Sequence, residues 1–212
     1  MVLESSSKSK PKVIYAHGFE GRPDGAKAQY LGNELGFQVV APTMYGLGWS
    51  FHDQVQVVLK ALDEHPNAHR VVGSSMGGFA VAVALSQRTS RQAKCVLMAP
   101  AIGIHASWAR ALGDSAMESW ANSGFLAHAH ASAGREVQLP YELWTQCRDA
   151  AKVVIGHPCV IIHGRADDIV PFSNSEALAA RSPGVITLLA TDDEHRLSHS
   201  LGSLKTALNY LE

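Results

Sequence analysis

Six short β-branched runs alternate with helical patterns along the chain, and that alternation leaves few folds open. The runs KVIYAHG, QVVAPTM, HRVVGSS, AKCVLMAP, PCVIIHG and GVITLLA begin at Lys12, Gln38, His69, Ala93, Pro158 and Gly184. Each is almost continuously apolar, the pattern of a strand covered on both faces, as in a parallel sheet. Helical faces lie between most of them. Phe51, Val55, Val58, Leu59 and Leu62 form one, and Leu197, Leu201, Leu204, Leu208 and Leu211 form another. The segment MGGFAVAVALSQ, from Met76, is small and apolar on nearly every side and reads as a central helix pressed onto the sheet. Such alternation predicts right-handed crossovers and an α/β fold of about six mostly parallel strands flanked by helices. In such folds ligands bind beyond the carboxyl ends of the strands, so the residues directly after each strand are the ones to search.

One stretch breaks the rhythm. From Ala101 to about Ala151 no strand of the main series occurs, and three of the four tryptophans fall there. It is too long for a plain loop. A helical insertion with a hairpin around REVQLPYELWTQ, lid-like at the ligand edge, is expected. The remaining chain reads as one domain over 12–212, preceded by a flexible polar tail over 1–11.

With 18 basic against 19 acidic side chains, no charge excess marks nucleic acid as a partner. No apolar run approaches the roughly 20 residues that span a bilayer, so membrane insertion is not expected. Three cysteines, Cys95, Cys147 and Cys159, have no C-x-x-C spacing. They predict buried reduced thiols in a cytoplasmic protein.

Chemistry concentrates at four strand ends. In VVGSSMGG, Gly73, Ser75 and Gly77 form G-x-S-x-G between a strand and the central helix. A serine on so sharp a turn has its hydroxyl exposed, and the first amide of the following helix, at Met76, can face a developing oxyanion. Ser74 has the wrong register for the same role. A hydroxyl needs a base. His195, in TDDEHRL after the last strand, is preferred over His199, which falls one turn into the final helical pattern. An imidazole in turn needs a carboxylate, and VIIHGRADDIVP offers Asp167 and Asp168, between which residue type alone does not choose. At the first strand end, YAHGFEG leaves the Phe19 amide as a second oxyanion donor, with the His17 ring expected to hold a loop. Aromatic residues near these ends, Tyr45, Trp49, Trp108 and Trp120, are candidate walls of a substrate pocket.

Taken in order, an HG-containing loop, a serine elbow, an acid and a histidine resemble the α/β-hydrolase family over nearly the whole chain from Lys12 to Leu211. The family pattern H-G-x-x-D-x-x-V-P matches His163, Gly164, Asp167, Val170 and Pro171. The resemblance therefore selects Asp167 over Asp168. It departs at Glu194, where the family usually has glycine before the histidine, and the first two antiparallel strands of the full fold are missing. Within the family, the compact chain is similar to small bacterial esterases of the YqiA type and to acyl-protein thioesterases. The resemblance implies a cofactor-free serine hydrolase of small-molecule esters or thioesters, with no metal: Ser75 attacks, His195 transfers the proton, Asp167 orients His195, and the Phe19 and Met76 amides bind the oxyanion. Competing readings are an amidase or peptidase on the same triad, a non-catalytic binding protein on this fold, and a zinc hydrolase using His128, His130, His195 or His199.

Overall fold

The computed structural model describes residues 10–212, so most of the expected N-terminal tail lies outside the described residues. All six β-branched runs form strands: β1 (Lys12–Ala16), β2 (Gln38–Val40), β3 (Arg70–Ser74), β4 (Lys94–Met98), then, after the insertion, Cys159–Gly164 and Ile186–Thr191. The insertion adds an antiparallel hairpin, β5 (Phe125–His130) and β6 (Arg135–Pro140), which makes the last two strands β7 (Cys159–Gly164) and β8 (Ile186–Thr191). The main sheet runs in the order β2-β1-β3-β4-β7-β8 and every pairing in it is parallel. The chain moves outward from β1 to β2 and then returns to the other side of β1 as β3. Strand order therefore reverses between β1 and β3, the position at which open α/β sheets gather ligands.

Successive strand residues point to opposite faces, and each face has its own core. Ile14, Val71, Leu97 and Ile161 pack with α2 (Phe51–Glu64) and α3 (Met76–Ser86), while Val13, Tyr15, Val72, Val96 and Ile162 face the helix Ser203–Tyr210 and the short α1 (Ala26–Gln29). A π-helical turn, Tyr30–Glu34, continues α1. The start of α2 is fixed by a capping box in which the Ser50 hydroxyl accepts the Asp53 amide and Asp53 accepts the Ser50 amide. Helix α3 is buried on nearly all sides, as its composition predicts.

The insertion holds α4 (Ile104–Leu112), α5 (Asp114–Ser123), the hairpin and α6 (Tyr141–Ala150). The hairpin begins ten residues earlier than expected, and YELWTQ is helical, entered through Pro140. Its first strand, FLAHAH, carries a period-two alternation of alanine with histidine, but the run is short and alanine is depleted in strands, so the signal is weak. Helix α7 (Phe172–Arg181) follows Pro171, and α8 (Ser203–Tyr210) closes the chain.

The last helix starts later than its leucine spacing predicts. Leu197 has φ +54° and precedes it, and His199 lies in the loop. The cause is Asp193, whose carboxylate accepts the amides of Glu194, His199 and Ser200 and folds the segment around itself. Leu197, Leu204, Leu208 and Leu211 nonetheless share one core cluster, so the spacing reported burial correctly while misreporting helix. Among the described residues no helix is long and apolar enough to cross a membrane.

Candidate active site

Ser75 sits between β3 and α3 with φ +53° and ψ −122°. For a residue with a side chain this backbone is strained, at a typical cost of about 1–3 kcal/mol, and the surroundings must impose it. They do so by packing and hydrogen bonds. The Ser75 amide donates to Met98 O at 2.9 Å, and its carbonyl accepts the amides of Phe79 and Ala101 at 3.0 Å each. A Cβ on Gly73 would come within 2.6 Å of Gly78 Cα, and one on Gly77 would collide with the carbonyls of Ala16 and His17. Both glycines are therefore demanded by the close approach of strand, helix and the end of β1.

Three loops converge on this turn. His195 Nε2 lies 2.9 Å from Ser75 Oγ, and its Nδ1 lies 2.7 Å from Asp167 Oδ2. With Nδ1–H donating to the carboxylate, Nε2 is left as acceptor for the serine hydroxyl. Gly164 allows the acid loop and the histidine loop to meet, because a side chain there would strike the carbonyls of Asp193 and Glu194. Asp168, the neighbour that residue type could not exclude, is exposed, and His199 contributes only its amide, to Asp193.

Asp167 is saturated with donors. Its Oδ1 accepts the amides of Ile169 (3.0 Å) and Val170 (2.8 Å), and its Oδ2 accepts a second imidazole, His163 Nε2, at 2.9 Å. His163 is fully buried and its Nδ1 accepts the Ser175 hydroxyl at 2.7 Å. Burial would raise the Asp167 carboxyl, but the bonds from His163, His195 and the Val170 amide outweigh it and hold the group well below the usual carboxylate range. Sequence reading used His163 only as a motif position. Its spacing of four from Asp167, at the end of a strand, was the available signal.

The depressed carboxyl carries a stability consequence. Its contribution is complete above the unfolded value near 4 and is lost as pH falls toward the lower folded value, at up to about 1.4 kcal/mol per pH unit. In chemical denaturation between pH 6 and pH 2, wild-type protein is therefore expected to lose more stability than Asp167→Asn. Parallel pH curves for the two proteins would count against it.

The loop after β1 is fixed from two directions. The Gly18 carbonyl accepts the Gly21 amide (2.9 Å) and His17 Nδ1–H (2.8 Å), and because a trans peptide points its N–H opposite its C=O, this also orients the Phe19 amide. The other His17 nitrogen accepts the Met44 amide at 3.1 Å, so the ring braces two loops, as expected of it. Desolvation lowers the His17 pKa, consistent with a neutral ring that both donates and accepts. From the insertion, His130 Nε2 donates to Phe19 O at 2.7 Å, while His128 Nε2 and the Ala131 amide engage the Glu20 carboxylate. The hairpin thus grips the loop that presents the Phe19 amide, a connection the sequence did not signal. Neither the Phe19 nor the Met76 amide donates to any acceptor among the described residues.

A cavity of about 430 Å³ opens at this point, lined by Ser75, His195, Phe19, Met76, Ile104 and Trp108 among others. Of the four aromatic residues expected to wall it, only Trp108 does so. Trp120 is buried in the insertion, its Nε1–H donating to Leu139 O. Tyr45 and Trp49 stack on each other, ring centroids 4.8 Å apart, against the edge of His130. These three corrections share a cause: aromatic side chains at a strand end or in an insertion bury themselves against each other where partners exist.

No curated protein matches the chain. Among solved structures, it is similar to Est1E from Butyrivibrio proteoclasticus with ferulic acid bound (22% identity, TM-score 0.72, covering 95% of this chain and 87% of that one). It is similar also to alpha/beta hydrolase domain-containing protein 10 from mouse (20%, TM-score 0.71, 95% and 91%) and to a monoacylglycerol lipase of Paleococcus ferrophilus (18%, TM-score 0.67, 94% and 93%). The fold is thus that of the α/β hydrolases, as the sequence resemblance implied. Residues 12–212 match the model of the uncharacterised protein family UPF0227, and with nearly the whole chain covered, the protein belongs to that family.

Proposed function

We propose that the protein is a serine hydrolase that cleaves carboxylic ester or thioester bonds of small molecules through an acyl-enzyme. The observation that carries this reading is the unbroken chain Ser75 Oγ, His195, Asp167, at 2.9 and 2.7 Å, beside a cavity. Its three members come from separate βα loops, a juxtaposition with no evident structural need.

In the proposed reaction His195 Nε2 takes the Ser75 proton as Oγ bonds to the substrate carbonyl carbon. The tetrahedral oxyanion is met by the Phe19 and Met76 amides, each such donor being worth about 10² to 10³ in rate. Collapse breaks the bond to the leaving oxygen or sulfur, which receives the proton from His195. Water, deprotonated by the same imidazole, then releases the acid and restores the serine. Asp167 keeps Nδ1 protonated and stabilises the imidazolium throughout. No cofactor enters these steps. Three buried free thiols support a cytoplasmic setting.

Steady-state assays with p-nitrophenyl esters from acetate to octanoate, and with matched thioesters and anilides, test the reading. Turnover of esters or thioesters well above anilides is expected, and activity confined to the anilides would favour an amidase instead.

A further inference from the structure

We infer that the substrate's leaving group carries an anionic substituent, a carboxylate or a phosphate, bound in the cavity by Tyr15, Lys27 and Arg196; the inference rests on the serine-hydrolase reading above. All three residues line the same cavity as Ser75 and His195. Tyr15 is 4% exposed, yet its hydroxyl has no hydrogen-bond partner among the described residues. A hydroxyl that opens on a cavity without a protein acceptor is a place for a ligand acceptor. Burial raises the Tyr15 pKa and keeps the group a neutral donor.

Lys27 and Arg196 supply the charge. Lys27 Nζ donates to the Arg196 carbonyl at 2.8 Å, which fixes the ammonium beside the loop that carries Arg196 and leaves it two further N–H groups. Neither residue forms an ion pair among the described residues. Three nearby carboxylates are committed elsewhere: Glu20 to His128 and the Ala131 amide, Asp193 to three amides, and Asp24 to Arg22. Desolvation, then the proximity of Arg196, lowers the Lys27 pKa, with Asp193 only partly opposing. A bound anion would relieve both effects.

Position assigns the anion to the leaving group. His195 must return its proton to the leaving atom, so that atom lies on the imidazole side of the carbonyl, and Arg196 is the next residue. Ala28 and Leu197, chain neighbours of Lys27 and Arg196, pack in the cluster that contains Tyr15. Phe19, Met76, Ala101, Ile104 and Trp108 belong to the cluster on the other face of the sheet, and give the opposite end of the cavity an apolar wall for the acyl part.

The test compares 4-butanoyloxybenzoate and 4-butanoyloxyphenyl phosphate with neutral 4-butanoyloxybenzamide. Calorimetric titration of the Ser75→Ala protein, which leaves the esters intact, is expected to show the better anion binding at least about tenfold more tightly than the amide. Lys27→Met or Arg196→Gln in that background is expected to shrink the difference at least fivefold, and the ratio of kcat/KM values in the parent should follow. Whichever anion binds more tightly identifies the substituent. Equal affinities for all three compounds, or a preference untouched in both variants, would overturn the inference. If the parent hydrolyses p-nitrophenyl butyrate without preferring anions, the anion site alone fails. If no ester is hydrolysed but Ser75→Ala prefers anions, the hydrolase reading fails and the site stands.

Discussion

Ser75→Ala is expected to lower kcat for p-nitrophenyl butyrate by roughly 10⁴- to 10⁶-fold, the range seen when a serine nucleophile is removed from an intact triad. The substitution deletes one oxygen and leaves Cβ in place, so the turn, which is held by the bonds of Ser75 to Met98, Phe79 and Ala101, should persist. Circular dichroism and the denaturation midpoint are therefore expected to stay close to those of the parent. His195 and Asp167 remain paired in the variant, and the residual rate would measure what the amides and the cavity contribute alone. Loss of activity with loss of fold would be uninformative about chemistry, which is why His195→Gln should be compared. It is expected to lose activity comparably while leaving the elbow untouched. Full activity in Ser75→Ala would remove the assignment.

Gly77→Ala should have a large effect on stability. Its added methyl would occupy the space of the Ala16 and His17 carbonyls, backbone atoms at the end of a buried strand that cannot move without displacing the Phe19 loop. Overpacking of this kind costs about 1–3 kcal/mol, so a fall in Tm of about 2–12 °C is expected for a domain of this size. Activity should fall by about 10² even in molecules that fold, because the elbow and the oxyanion loop shift together. Gly156→Ala is the control: nothing lies within 4 Å of its added methyl, and its effect is expected to stay within about 0.5 kcal/mol. Equal Tm values for the two variants would contradict the packing described at the elbow.

What was legible in the sequence follows from which interactions are local. Each of the six sheet strands carries its own signal, because a strand buried on both faces must be apolar throughout. The elbow was equally plain, since close backbone contact leaves only glycine at positions 73 and 77. Asp167 was chosen from Asp168 by family resemblance, and the structure places the former 2.7 Å from His195 while the latter is exposed. Long-range features were hidden. The grip of His130 on Phe19 joins residues 111 apart, and nothing in FLAHAH advertises it. The loop before α8 kept a helical leucine spacing although Asp193 had captured its amides. Tyr45, Trp49 and Trp120 were misplaced as pocket walls because composition reports apolar area but not which neighbour covers it.

The central claim is that His195 and Asp167 make the Ser75 hydroxyl nucleophilic, and covalent trapping reads that property without knowledge of the substrate. Purified protein would be treated with a fluorophosphonate, digested, and mapped by mass spectrometry. Near-stoichiometric modification confined to the peptide bearing Ser75, and abolished in His195→Gln, is the expected result. An unmodified Ser75 in folded protein, or labelling that persists undiminished without the imidazole, would contradict it.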